Sequence, residues 1–316
     1  MVSAVMLFPG QGAQYSGMGK SLWEAHDSVK KLFSVASSIC GKDMEHLLFE
    51  GTEEELKQTV NTQTAVTLIN ASVREVLAEK GITSSVSAGF SLGEMTAIYD
   101  AGALTFESLI TVVKARAEAF EQCAQAYAGI SGGPAMAAVI GLDFDTVTGV
   151  LNEYTDVFAA NDNGPRQVVI SGFAEAIQRV KPDLMNAGAR RVIPLKVSGP
   201  FHTPLMSEAA DLFKEALSRI QFSQLRKPCF SNVTGLPYAS SAEIAELSLA
   251  QLVSPVRWTK IMEHIVQLSE QLSVDAAVEA GPGTVLAGLW KNSGSDIQCR
   301  SVETSDDIDA LAETLR

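Results

Sequence analysis

The chain has 316 residues, 46% of them hydrophobic and 19% charged, which suits one large fold carrying a smaller inserted one. Its 24 lysines and arginines face 37 acidic residues, a formal net charge of −13 that argues against binding nucleic acid or an anionic membrane. Cys40, Cys123, Cys229 and Cys299 form no CxxC pair and the four histidines no ligand spacing, so no metal is expected, and a reducing, cytoplasmic setting is.

The opening SAVMLFPGQG lacks the basic-then-apolar order of a signal peptide, and no apolar run approaches the roughly 20 residues that span a bilayer. A short apolar strand over 2–8 leads into the turn-rich PGQGAQYSGMG. Helical periodicity follows over 21–39 and 63–80, the second with Ala65, Leu68, Ile69, Val73, Val76 and Leu77 on one broad face and Gly81 as its stop. Residues 84–88 read as a brief buried strand, 92–100 as a helix entered at a serine, and 105–126 as a helix carrying Arg116. The glycine-rich AGISGGP marks a boundary near 128–134.

Beyond that boundary, strands at 135–140, 156–160, 166–171 and 190–197 and helices at 143–154 and 173–187 follow the β-α-β-β-α-β order of a ferredoxin-like motif. Residues 129–197 are therefore expected to form a small inserted domain, with 1–128 and 198–316 making the large one. The second part of the large domain holds SGPFHTPLM, helices at 206–219 and 258–270, strands at 228–232 and 274–279, and a GPG turn.

The stretch GFSLG fits G-x-S-x-G, in which two glycines let a serine sit on a crowded strand-to-helix turn with its Oγ exposed. Ser91 is then a candidate nucleophile, and the N–H of Leu92 at the helix start a candidate oxyanion donor. The competing reading makes Ser91 a helix cap, with Glu94 completing an S-x-x-E capping box. A serine nucleophile needs a base. His202, flanked by Gly199, Pro200 and Pro204 in a rigid loop, is the candidate, whereas His26, His46 and His264 lie in charge-mixed helical contexts and read as surface. The glycine-rich FPGQGAQYSGMG either turns or forms a backbone nest around an acyl oxygen. It has neither the G-K-[ST] of a phosphate loop nor the G-x-G-x-x-G of a dinucleotide site. Taken by itself, Arg116 in VVKARAEAFEQ reads as a solvated helix residue.

Together FPGQGAQYSGMG, GFSLGE, SGPFHTPLM, SPVRW and EAGPGTVLAGL, in order across nearly the whole chain, resemble the malonyl-CoA:acyl carrier protein transacylase family. The resemblance implies an α/β class, with an α/β-hydrolase-like large domain on a parallel sheet and an inserted ferredoxin-like (βαββαβ) small domain. It implies Ser91 as nucleophile, His202 as general base and the backbone carbonyl of Gln251 as the group orienting the imidazole. It further implies an oxyanion hole from the N–H groups of Gln11 and Leu92, and Arg116, 25 positions after Ser91, as clamp for the acyl carboxylate.

Asn161, Asn232, Phe90 and Phe201 join the implied substrate-binding set, although either asparagine could equally be a turn residue. The family motif is usually GHSLG, so Phe90 replaces a histidine in the pocket wall. The implied substrates are malonyl-CoA and the phosphopantetheine thiol of holo acyl carrier protein, with no bound cofactor or metal. A monomer is expected. Lys181, Arg190, Arg191 and Lys196 are candidate docking charges for an acidic carrier. An acyl hydrolase and a non-catalytic carrier-binding protein are the rival functions.

Overall fold

The computed structural model describes residues 2–127, 132–195 and 199–315. Strand β1 (Val2–Phe8) is followed by helices α1 (Lys20–Ala25), α2 (Asp27–Cys40), α3 (Met44–Phe49), α4 (Glu53–Lys57) and α5 (Thr59–Glu79), then by β2 (Ile82–Gly89), α6 (Gly93–Asp100) and α7 (Phe106–Ala126). Next come β3 (Pro134–Ile140), α8 (Phe144–Leu151), β4 (Val157–Gly164), β5 (Gln167–Phe173), α9 (Ala174–Asn186) and β6 (Arg191–Leu195). After a single 3₁₀ turn at Pro204–Met206 the chain forms α10 (Ser207–Leu217), α11 (Ala242–Val253), α12 (Trp258–Leu272), β7 (Ala276–Ala280), α13 (Val285–Trp290), β8 (Cys299–Val302) and α14 (Ser305–Thr314).

The first sheet has the order β2-β1-β7-β8 with every pairing parallel. Its centre, β1, is buried without a break from Ala4 to Phe8, because helices cover both faces of a parallel sheet and no strand position is left for a polar side. Helix α5 goes further than the one apolar face read from its sequence. Asn61, Thr62, Gln63, Thr64, Thr67, Asn70 and Ser72 are buried along with its apolar residues, since α2, α6 and α7 surround it.

The second sheet, β4-β5-β3-β6, is antiparallel throughout and closes its own core of Val139, Val147, Val168, Ile170, Val180 and Leu184 under α8 and α9. That order is the ferredoxin-like one, and with the parallel sheet it gives the α/β-hydrolase-like fold with a ferredoxin-like insertion. Val256 joins the two layers, with its N–H donating to Ala160 O and its carbonyl accepting from Asp162 N–H, both at 2.9 Å.

Three expectations need correction. The single helix over 21–39 is broken at His26, whose extended backbone (φ −127°, ψ 119°) turns α1 into α2. The strand over 228–232 is reduced to isolated bridges, Cys229 beside Ser87 and Phe230 beside Pro237. Helices α3, α4, α11, α13 and α14 and strand β8 were not expected at all. The ends of the inserted segment, 128–131 and 196–198, lie outside the described residues, as does Lys196.

Candidate active site

Ser91 stands between the end of β2 and the start of α6 with φ +52°, a left-handed backbone that residues with a Cβ seldom adopt and that costs about 1–3 kcal/mol. Crowding explains the flanking glycines. A Cβ on Gly89 would lie 2.0 Å from the carbonyl carbon of Gly93, and one on Gly93 would lie 2.0 Å from the carbonyl oxygen of Phe8. Gly10 is equally constrained, with Phe90 O 2.6 Å from its would-be Cβ. The turn is pinned by Asn232, whose Oδ1 accepts from Ser91 N–H at 2.6 Å and whose Nδ2 donates to Gly89 O at 2.7 Å.

The capping-box reading fails for the same reason the elbow exists. A left-handed Ser91 cannot reach forward to the helix, the cap position falls at Leu92 with no side-chain bond, and the Glu94 carboxylate turns into the protein.

Ser91 Oγ is 2.7 Å from Nε2 of His202, and Nδ1 of His202 is 2.8 Å from the backbone carbonyl of Gln251. A carbonyl only accepts, so Nδ1 carries the proton and Nε2 is left bare to accept from the serine hydroxyl. His202 is itself held in a left-handed conformation, φ +60°, within the GPFHTP loop. Burial, then the positive charge of Arg116, pushes the imidazole down to about 4, against the pull of backbone contacts from Gln251 and Ser254. At neutral pH it is therefore an uncharged base.

Arg116, on α7, is 1% exposed, so the solvated-helix reading is wrong. Its Nη1 donates to Gln63 Oε1 at 2.8 Å, and its Nη2 donates to Gln251 Oε1 at 3.0 Å and, more loosely, to Ser91 Oγ at 3.3 Å. The guanidinium lies over the Phe120 ring at 4.4 Å. Burial lowers its pKa to about 10, with Glu94 opposing, and it stays cationic at neutral pH. Its Nε is buried with no partner among the described residues, so the cation has donor capacity to spare for an anion.

These groups line one cavity of about 190 Å³. Gln11 and Leu92 face it together with Ser91, His202 and Arg116, and the backbone N–H groups of Gln11 and Leu92 donate to no protein acceptor among the described residues. Phe90 forms one wall, edge-on to buried Trp258 at 5.3 Å. Phe201 forms another, stacked on Phe120 at 4.9 Å. Asn161, on β4, reaches the cavity from the inserted layer. Asn232 does not line it, because both ends of its amide are spent on the elbow.

Gln251 belongs to α11 and is fully buried, where a surface loop residue was the alternative. Sequence reasoning missed Gln63, Trp258, Tyr238 and the inward course of Glu94, and only Glu94 carried a signal, one that pointed to a cap. His26, His46 and His264 lie away from the cavity, the first two beside Glu79 and Glu50. Among the described residues no cluster of three or more His, Cys, Asp or Glu is placed to hold a metal, and no helix is long and apolar enough to cross a membrane.

An elbow serine paired with a neutral histidine, on this pair of sheets, is built to carry an acyl group, and the family model described as acyl transferase domain matches residues 5–299 and gives the class. The chain belongs to the malonyl-CoA:acyl carrier protein transacylase family. It is 37% identical to the malonyl CoA-acyl carrier protein transacylase of Bacillus subtilis (strain 168), over 100% of this chain and 98% of that one. The crystal structure of an acyl carrier protein S-malonyltransferase from Vibrio cholerae superposes with a TM-score of 0.89 at 34% identity, covering 97% of this chain and 99% of that one. A malonyl-transacylase solved in complex with a type II polyketide synthase acyl-carrier protein gives 0.88 at 34% identity, covering 99% and 100%.

Proposed function

We propose that this protein transfers a malonyl group from malonyl-CoA to the phosphopantetheine thiol of holo acyl carrier protein, through a malonyl ester on Ser91. The observation that carries the reading is the 2.7 Å contact of Ser91 Oγ with a neutral His202, with the buried Arg116 cation 3.3 Å from the same oxygen.

His202 Nε2 takes the serine proton as Oγ bonds to the thioester carbonyl carbon. The carbonyl oxygen becomes an oxyanion between the N–H groups of Gln11 and Leu92, each such donor being worth about 3 kcal/mol in the transition state. The C–S bond then breaks, and the coenzyme A thiolate takes the proton from His202. In the second half His202 removes the proton of the carrier thiol, the sulfur attacks the ester, and Ser91 Oγ leaves with that proton. The Gln251 carbonyl holds the imidazole tautomer throughout, with less stabilisation of imidazolium than a carboxylate would give.

Arg116 meets the distal malonyl carboxylate, which an acetyl group lacks. Phe90, Phe201 and Asn161 border the acyl group, and Asn232 acts on the elbow behind it. Exposed Lys181, Arg190 and Arg191 are the docking charges assigned to the carrier. We further take 129–197 as the small domain and 1–128 with 198–316 as the large one, a division supported by the separate core of the antiparallel sheet. A cytoplasmic setting accompanies this reading, supported by the free state of Cys40, Cys123, Cys229 and Cys299, and so does a monomer, because two layers with their own cores can bury their own faces.

Intact mass of the purified protein after malonyl-CoA, with and without holo carrier protein, tests the proposal. A malonyl adduct that the holo carrier removes faster than water does is the expected result. Absence of the adduct overturns both enzyme readings, and an adduct lost mainly to water makes the protein a hydrolase.

A further inference from the structure

The reaction steps leave one buried carboxylate at the site unused. Glu94, fully buried on the first turn of α6, receives three donors: the Tyr238 hydroxyl and the Asn232 N–H (3.2 Å) on Oε1, and Gln251 Nε2 on Oε2. Two of these partners reach on into the reacting groups. Asn232 Oδ1 holds the Ser91 N–H at 2.6 Å. Gln251 takes His202 Nδ1 on its backbone carbonyl at 2.8 Å and Arg116 Nη2 on its side-chain oxygen at 3.0 Å, while its Nε2 also donates to Ser91 O at 3.0 Å. One carboxylate thus stands behind every member of the constellation, on the far side of Gln251 from Arg116.

We propose that ionised Glu94 is the positioning residue of this site: it fixes Gln251 and Asn232 so that Ser91, His202 and Arg116 stay in register, and it is the resident counter-ion of Arg116 until the substrate carboxylate arrives. The proposal rests on the transferase reading above. Only an ionised carboxylate accepts from all three donors at once: a proton on Oε1 reverses the Tyr238 bond, a proton on Oε2 faces the Gln251 NH₂, and the NH₂ of an amide faces either that group or the Asn232 N–H, donor against donor. The Gln251 amide then bridges a buried cation and a buried anion, and each charge offsets the other's desolvation.

Burial pushes the Glu94 carboxyl up to about 7, although the Tyr238, Gln251 and Asn232 donors and the Arg116 charge all pull it down. The other titratable groups facing it, Tyr238 and Cys229, are pushed well above their ordinary values by burial and by the Glu94 charge itself, and both stay neutral at neutral pH. His202 protonates only near 4, far below Glu94. An acid limb near neutrality in the rate profile therefore belongs to Glu94, and activity rises with pH through it.

The test uses the full-length protein with malonyl-CoA and holo carrier protein, with kcat and KM measured from about pH 5 to about pH 9. Glu94→Gln is expected to lower kcat about 100-fold through misplacement of the reacting groups, with KM for malonyl-CoA little changed and the acid limb gone. Tyr238→Phe keeps the carboxylate but removes one donor, so its limb should move up by about one pH unit while activity recovers at high pH. A Glu94→Gln protein with the wild-type kcat and limb, or a Tyr238→Phe limb that stays in place, overturns the proposal. Failure of the wild-type protein to form a malonyl ester would instead overturn the transferase reading beneath it.

Discussion

Replacing Arg116 by alanine should change which acyl group the protein accepts more than it changes the chemistry. The guanidinium is 1% exposed and holds Gln63, Gln251 and Ser91, so nothing in the solvent can replace it. A malonyl carboxylate brought into the same cavity would lose its buried cation, and breaking such a pair costs about 3–5 kcal/mol. Taking the lower end, about 3 kcal/mol corresponds to about a 150-fold fall in kcat/KM for malonyl-CoA.

Acetyl-CoA has no carboxylate to strand. Measured above the Glu94 limb, so that Glu94 stays ionised without its counter-ion, it loses the bracing of Gln63 and Gln251, partly offset because the smaller, Arg116 share of the His202 depression, next to that of burial, is also removed. Its kcat/KM should fall by less than about tenfold. The assay is formation of the acyl-enzyme from each thioester alone and in competition, for wild type, Arg116→Ala and Arg116→Lys. The lysine variant keeps the charge without the planar fork and should fall between the other two. An equal loss for malonyl and acetyl groups would refute the clamp and leave Arg116 as a buried strut.

Gly93→Ala drives a Cβ to 2.0 Å from Phe8 O, so it should cost about 1–3 kcal/mol or more in a thermal melt and remove ester formation with it; a stable, active variant would contradict the crowding argument. Phe90→His gives up the edge-on contact with Trp258, about 1 kcal/mol, and puts a polar ring in the cavity wall. The malonyl ester should then hydrolyse faster in the absence of carrier, as read by intact mass over time, and an unchanged lifetime would make Phe90 a packing residue only.

Stability against pH follows from two opposed groups. His202 falls from 6.5 to about 4 on folding, so the unfolded chain binds the extra proton, and its contribution is complete above 6.5 and lost as pH falls toward 4. Glu94 rises from 4.5 to about 7, so its contribution is complete below 4.5 and lost as pH rises through 7. Glu94→Gln removes the second effect alone, and its Tm should climb with pH between these values more steeply than that of the wild type; parallel curves would count against the shifts.

What could be read from the sequence was what is local. The elbow is a matter of five consecutive residues, and the spacing of Gly89, Ser91 and Gly93 carries the backbone crowding in itself. His202 was marked by the glycine and prolines that fix its loop. The rest of the site is assembled across 25 to 160 positions, as in the contacts of Ser91 with Arg116 and with Gln251, and no local pattern encodes such distances. Gln11, Gln251 and Arg116 were reached only through family resemblance.

Arg116 looked solvated because α7 has an ordinary amphipathic pattern, yet α2, α5 and α10 all pack against that helix and leave this polar position inside. Glu94 was misread because S-x-x-E describes a cap only when the serine is extended, and a left-handed Ser91 is not. Helices α4 and α14 carry a local signal, the Thr52–Glu55 and Thr304–Asp307 capping boxes, but both are charged and too short for the sustained apolar periodicity of the longer helices.

Above the Glu94 limb the resting site holds a cation, an anion and a neutral imidazole: Arg116 and Glu94 on either side of the Gln251 amide, and His202 depressed by burial first and by Arg116 second. On the transferase reading, an incoming malonyl carboxylate adds a second anion against the same guanidinium. In a buried site that charge is strongly felt. It cancels the part of the His202 depression that Arg116 causes, so the base becomes stronger as the serine proton has to move. It also competes for Nη2, whose loose 3.3 Å bond to Ser91 Oγ otherwise occupies a lone pair of the attacking oxygen. Both changes act on the acylation step rather than on binding alone, and neither occurs with an acetyl group. Discrimination of this kind appears in kcat as well as in KM, because the carboxylate that identifies the substrate also prepares the serine and the histidine that attack it.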